Sequence, residues 1–153
     1  MAEHKLPELH PVNGFKLGTT CAGIKSPDRP DLVVMALSPG SACTAVFTQN
    51  AFCAAPVVVA RDHIEQGTPA YLLVNTGNAN AGTGTAGIAV ARRCCQALAA
   101  QTGCPPEAVL PFSTGVIGEP LPLERIQADF AELYGDPEPA GVDGERDEAF
   151  HGQ

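Results

Sequence analysis

A chain of 153 residues that is 44% apolar and 17% charged, with 16 glycines and 14 prolines, is long enough for one domain with a buried core and rich in turns. Its formal charge of −8 supplies no cluster of Lys and Arg for nucleic acid or an anionic membrane surface, so neither is an expected partner. No apolar run approaches the roughly 20 residues that span a bilayer, and Met1 to Pro11 lacks the apolar stretch of a signal peptide, so the expected location is the cytosol.

In chain order, Gly14 to Ile24 and Leu32 to Leu37 read as strands separated by the loop Ser26-Pro27-Asp28-Arg29-Pro30, a plausible antiparallel pair. A turn at Ser38-Pro39-Gly40-Ser41 leads to a third expected strand, Ala42 to Thr48. Pro56 to Ala60, with its Val57-Val58-Val59 run, reads as a fourth. Arg61-Asp62-His63 opens a short helical turn ending at Gly67, and Ala70 to Val74 is a buried strand that delivers a Gly-rich loop. From Thr85 to Thr102, Ile88, Ala91, Cys95 and Leu98 recur at helical spacing, and Gly103 is placed to stop the helix. Val109 to Phe112 is a short strand feeding Ser113 to Gly118, after which Leu123, Ile126, Phe130 and Leu133 mark one face of a second helix. The expected class is α/β, a mixed sheet with helices.

Tyr134 to Gln153 has three Asp, three Glu and one Arg, a net charge of −5, with no apolar period, and reads as a disordered or loosely packed tail (residues 134–153) after the 1–133 body. Cys21, Cys43, Cys53, Cys94, Cys95 and Cys104 form no Cys-x-x-Cys pair and have no His at zinc spacing, so no metal is expected. They read as small buried apolar residues, with the adjacent Cys94 and Cys95 pointing in different directions.

Two loops concentrate polar and glycine residues. Asn75-Thr76-Gly77-Asn78-Ala79-Asn80-Ala81-Gly82-Thr83-Gly84 lies between a strand and a helix N-terminus and could offer N–H groups to an anion. It lacks the Lys of a phosphate-binding P-loop, and no acidic residue follows at dinucleotide spacing. The alternative is that its glycines and asparagines only supply turns. Ser113-Thr114-Gly115-Val116-Ile117-Gly118 sets a hydroxyl beside a glycine N–H, the makings of an oxyanion hole, and equally reads as a plain turn. No Ser-His-Asp arrangement is legible: His4, His10, His63 and His151 read as exposed, and most Asp and Glu residues read as lying on solvated helix faces or in the tail.

The runs Leu73 to Gly84 and Leu110 to Pro122 closely resemble two signatures of the ornithine acetyltransferase (glutamate N-acetyltransferase) family. Ala22-Gly23-Ile24-Lys25 and Val46 to Val57 are similar to its N-terminal region, so the resemblance covers Leu9 to about Leu133. It implies an enzyme of arginine biosynthesis that moves an acetyl group from N-acetylornithine to glutamate, in some members also from acetyl-CoA. It implies no metal or organic cofactor. The family's precursor cleaves itself before a Thr, giving α and β chains that stay together, commonly as α2β2, with the new N-terminal Thr as nucleophile. Carried onto this sequence, the resemblance assigns Thr114 and Gly115 to the oxyanion hole and gives the Asn75 to Gly84 loop no named role. The implied fold is a fragment of a layered α-β-β-α sandwich whose second half lies in the missing region, so apolar sheet surface should be exposed.

The family's Ile-Met-Thr-Thr-Asp-Thr, Lys-Gly-Ala-Gly-Met and Asn-Met-Ala-Thr segments do not occur in this sequence. The expectation is a truncated, frameshifted or fragmentary product that does not turn over alone. Two rivals stand beside the acetyltransferase reading: a noncatalytic fragment that binds a partner chain, and a related self-processing aminopeptidase.

Overall fold

The computed structural model describes residues 10–134, with the side chains of 131–134 excepted. The acidic tail, His4, His151 and the side chain of Leu133 therefore lie outside the described residues.

Strands β1 (Phe15–Thr20), β2 (Leu32–Leu37), β3 (Tyr71–Asn78) and β4 (Val109–Val116) form one sheet in the order β1-β2-β3-β4. The first three pair antiparallel, and β3 and β4 pair parallel. A parallel pair needs a long crossover, and helix α2 (Gly84–Thr102) with a short 3-10 turn at Pro106–Ala108 supplies it. Helix α1 (Ala55–Gln66) precedes β3, and α3 (Leu123–Tyr134) follows β4.

Alternation along each strand sends Leu32, Val34 and Leu73 into the core, where they meet Val59 of α1, Cys95 and Leu98 of α2, and Ile126 and Phe130 of α3. Leu32, Val59, Cys95, Leu98 and Val109 are fully sealed from solvent, each large apolar side chain contributing about 1.5–3 kcal/mol on burial. The opposite face of the sheet is only partly open, since Leu110 of β4, across from Leu72, is buried there at 3% exposed. Leu17, Met35 and Leu72 stand in one register row there, and Thr19, Val33, Val74 and Phe112 in the next. Phe15, Leu17 and Phe112 are exposed at 36%, 49% and 43%, the apolar surface the resemblance implies.

Four expectations need correction. Pro56 to Ala60 is helix, the start of α1: proline fits the first turn of a helix, and Ala55, Pro56, Val59, Ala60 and His63 bury one helical face, overriding the strand preference of the three valines. The turn at Arg61 to Gly67 is the end of that same helix. Ala42 to Thr48 is not a strand, because its backbone turns to α1 instead of the sheet: Arg61 Nη2 donates to the Thr48 carbonyl at 3.1 Å and its guanidinium lies 5.3 Å over the Phe47 ring. β1 stops at Thr20 rather than Ile24, since the buried Asp31 carboxylate draws the next residues out of the sheet by accepting the N–H groups of Ala22 and Ile24 at 2.8 and 2.6 Å. The helix from Thr85 stands as expected, with Gly103 ending it in the left-handed conformation at φ +70°.

Candidate functional site

The two polar motifs are not loops at their starts but adjacent strands. Parallel pairing runs on through them, setting Asn75 against Ser113, Thr76 against Thr114 and Gly77 against Gly115. A register shift at Gly77 and Asn78 makes Thr114 a partner of Asn78 as well, an irregularity of the kind that re-aims side chains at sheet ends. Glycine is required on both sides. Gly77 has φ +96° and Gly115 φ +134°, and a Cβ on Gly115 would stand 2.3 Å from the Gly77 carbonyl carbon and 2.5 Å from the Asn78 nitrogen.

Strand alternation then divides the roles of Ser113 and Thr114. Ser113 shares the inward parity of Asn75, and its hydroxyl donates to Asn75 Oδ1 at 2.6 Å. Thr114 shares the parity of Phe112, on the open face of the sheet. Thr114 and Gly115 are both exposed, and the Thr114 hydroxyl makes no hydrogen bond among the described residues. A hydroxyl donor and a close-packed glycine backbone therefore lie side by side at one end of that face.

Behind them runs a ladder of buried asparagines. Asn75 Nδ2 donates to the Asn78 carbonyl at 2.8 Å, and Asn78 Nδ2 donates to the carbonyls of Glu119 and Pro120 at 3.1 and 3.2 Å. Asn78 Oδ1 accepts the Asn80 N–H at 2.7 Å, Asn80 Nδ2 reaches the Gly87 carbonyl at 3.0 Å, and Asn80 Oδ1 accepts the Thr83 hydroxyl at 2.9 Å. Backbone bonds from Ala79 N–H to the Val116 carbonyl and from Gly118 N–H to the Ala81 carbonyl continue the pairing past the strand ends. All three asparagines are below 5% exposed, so each amide bonded here is one that burial would otherwise penalise.

The Ala22-Gly23-Ile24-Lys25 segment closes the other side of Gly77. Beyond its carboxylate bonds, Asp31 accepts the Thr76 N–H on its carbonyl at 2.8 Å, and Arg125 of α3 donates to the Gly23 carbonyl. Lys25 Cβ lies 2.9 Å from where a Gly77 Cβ would be. On the far rim, Phe52 (65% exposed) and Ile117 (63% exposed) flank Gly82, extending the apolar surface around the site.

Sequence reasoning singled out Thr114 and Gly115 but left the Asn75 to Gly84 segment without a role; the structure brings the two together. The legible signal was a glycine inside each strand pattern, which marks a bulge or a close backbone approach. The titratable groups depart from expectation. His63 is 2% exposed rather than solvated, because its position on the buried face of α1 brings its Nδ1 to 2.8 Å from the Val109 carbonyl. Asp31 and Asp129 are buried as well, Asp129 accepting the Thr20 hydroxyl at 2.9 Å. His10 is exposed as expected.

The cysteines divide. Cys94 and Cys95 are buried side by side, both reaching the core, while Cys21 is exposed and Cys43, Cys53 and Cys104 are half-buried. Burial pushes the Cys94 thiol up to about 12, against a smaller opposing pull from Arg93, and pushes Cys95 higher still. Neither is a nucleophile near neutral pH.

A profile of the ArgJ family matches residues 16–149. An arginine biosynthesis bifunctional protein ArgJ from Pseudomonas syringae pv. tomato is 62% identical over 122 residues, covering 80% of this chain and 30% of that protein. The Methylococcus capsulatus protein of the same name is 59% identical over 126 residues, covering 82% and 31%. Among solved structures, the Bacillus halodurans argJ protein superposes with a TM-score of 0.71 at 34% identity, over 76% of this chain and 61% of that one. An ornithine acetyltransferase from Mycobacterium tuberculosis, solved with ornithine, gives a TM-score of 0.75 at 32% identity, over 81% and 67%. The chain thus spans about 30% of the length of the curated relatives it matches. A match over that much of the sequence, together with the likeness to two solved relatives, leads to one assignment: the chain belongs to the ArgJ family, and its mixed α/β unit is a piece of that family's fold.

Proposed function

We propose that this chain is the oxyanion-stabilising part of an acetyltransferase of arginine biosynthesis, moving acetyl from N-acetylornithine to glutamate. The observation that carries the reading is the β3–β4 register, which sets the Thr114 hydroxyl, without a hydrogen bond among the described residues, beside the Gly115 backbone on exposed sheet. A hydroxyl next to a glycine N–H suits what a tetrahedral oxyanion needs, two donors set near the developing charge.

The reaction has two halves. A Thr nucleophile on a complementary β chain, freed as an N-terminus by cleavage of the precursor, adds to the acetyl carbonyl while Thr114 and Gly115 donate to the carbonyl oxygen. The amide C–N bond breaks, and the ornithine amine leaves with the proton taken from the Thr hydroxyl. Glutamate's amine then attacks the acetyl ester through a second oxyanion at the same donors, regenerating the Thr hydroxyl. The open apolar face around Leu17, Met35 and Phe112 supports this division of labour, since it offers the β chain a sheet to cover and carries Thr114 at its end. The ornithine held by the Mycobacterium tuberculosis relative supports ornithine-type substrates.

The test is to co-produce this chain with the part of the Pseudomonas syringae relative that lies beyond the matched region, and to assay glutamate-dependent release of ornithine from N-acetylornithine. Transfer should appear only with both parts present, and Thr114→Ala should lower kcat about 100- to 1,000-fold. An assembled but inactive pair would instead favour the noncatalytic, partner-binding reading, and hydrolysis of peptides would favour the aminopeptidase.

A further inference from the structure

We infer that Asn75 is a positioning residue for the oxyanion donors, acting through Ser113; this rests on the functional reading above. Ser113 immediately precedes Thr114 on β4, so any rotation of its backbone is passed directly to the Thr114 hydroxyl and the Gly115 N–H. Its hydroxyl is held at 2.6 Å by Asn75 Oδ1, the acceptor on the residue directly across the parallel pair. Asn75 is itself not free to turn. Its Nδ2 is committed to the Asn78 carbonyl at 2.8 Å and its side chain is 4% exposed. Asn78 in turn ties down the carbonyls of Glu119 and Pro120, on the far side of Gly115.

The donors are thus braced from both ends, by Asn75 before Thr114 and by Asn78 after Gly115, and both braces come from β3. A plain edge pairing would not need this. Regular pairing holds Thr114 and Gly115 against Thr76 and Gly77, but the register shift at Gly77 and Asn78 follows immediately, so side-chain bonds add to the ladder where it becomes irregular. Asparagine suits the task because one amide supplies an acceptor to Ser113 and a donor to the Asn78 carbonyl; aspartate supplies only the acceptor. The Asn75 to Asn80 run, which sequence reasoning left without a role, is on this account the rigid half of the oxyanion hole.

Steady-state kinetics of the two-part assembly test the inference. Ser113→Ala and Asn75→Ala should each lower kcat about 10- to 100-fold with KM for N-acetylornithine within about threefold, the cost of donors displaced by a fraction of an ångström to an ångström. Ser113→Thr, which restores the hydroxyl, should recover most of the rate. In a Thr114→Ala background Ser113→Ala should cost less than it does alone, because the part of its effect that passes through the Thr114 hydroxyl is already lost and only the part through the Gly115 N–H remains. A merely structural role would instead add in full to Thr114→Ala, or change KM and kcat together, and either result overturns the inference. Amide hydrogen exchange on the chain alone gives a second reading that needs no activity: Asn75→Ala should speed exchange of Thr114 to Val116 while α2 is unchanged, and equal exchange at 114–116 in both proteins also overturns it. If the wild-type assembly transfers no acetyl group, the functional reading fails and the catalytic part of the inference fails with it, whereas an active wild type with unaffected Asn75 and Ser113 variants overturns the inference alone.

Discussion

Gly115 has no room for a side chain because Gly77 stands directly across the parallel pair, with its carbonyl carbon 2.3 Å from where a Gly115 Cβ would be. The obstacle is backbone on a central strand, which moves only if β3 moves. At φ +134° an alanine is also conformationally strained. Gly115→Ala should therefore destabilise the chain by about 3 kcal/mol or more. Gly77→Ala meets the Lys25 Cβ at 2.9 Å, on a segment outside the sheet, and should cost less, about 1–3 kcal/mol. Urea denaturation of both variants checks the order, and equal stabilities would contradict the close approach described.

Asp31 should rank among the most sensitive polar positions outside the site. Its carboxylate accepts the N–H groups of both Ala22 and Ile24, and these bonds hold the segment that flanks Gly77. Asparagine is nearly isosteric but must turn an NH2 toward one of those two donors. Asp31→Asn should lose about 2–4 kcal/mol, because a charged acceptor is lost and a buried donor is left facing another. By contrast Asp62→Ala, which breaks the ion pair with Arg92, should change stability by less than about 1 kcal/mol, since both partners are more than a third exposed. Thermal melts of the two variants give the comparison.

How much of this was legible in the sequence depended on range. Local periodicity sufficed for α2 and α3, because Ala91, Cys95 and Leu98, and Leu123, Ile126 and Phe130, repeat at helical spacing and are buried. The same reasoning failed for α1, where Val57-Val58-Val59 reads as strand until Pro56 is seen as a first-turn residue and His63 as a core residue. Thr114 and Gly115 came from a resemblance rather than from periodicity. The pairing of Asn75 with Ser113 spans 38 residues of sequence, with a helix between them. Nothing in either motif alone specifies that contact. Asp31 was missed because its burial depends on a loop, 21–25, whose course its own carboxylate determines.

Alkaline pH should unfold the chain through its two core thiols. Burial raises Cys94 from 9.0 to about 12 and raises Cys95 further. The folded state thus holds these protons more tightly than the unfolded state. Their contribution to stability is fully present below pH 9 and is lost as pH rises through the folded values, at about 1.4 kcal/mol per pH unit for each thiol. Cys94→Ala should flatten the decline between pH 9 and 12 by about one thiol's share, measured as the slope of unfolding free energy against pH. Below pH 8, thiol labelling should modify the exposed Cys21 first and leave Cys94 and Cys95 unmodified until the chain unfolds.

The open sheet face allows assembly to be separated from folding. Leu17 and Phe112 are 49% and 43% exposed on that face and lie outside the core cluster, so a charge at either position leaves the helix-facing core unchanged. Leu17→Glu and Phe112→Glu should each shift the melting temperature of the isolated chain only slightly, as surface changes do. On a face covered by a second layer the same charges would be buried without partners, a cost of several kcal/mol. Both variants should therefore fold normally and fail to form the proposed two-part assembly, with Leu17→Glu the cleaner case because it lies on β1, three strands from Thr114. Co-purification of the two parts is the measurement: loss of association with retained folding places the complementary chain on this face, and undiminished association by both variants places it elsewhere.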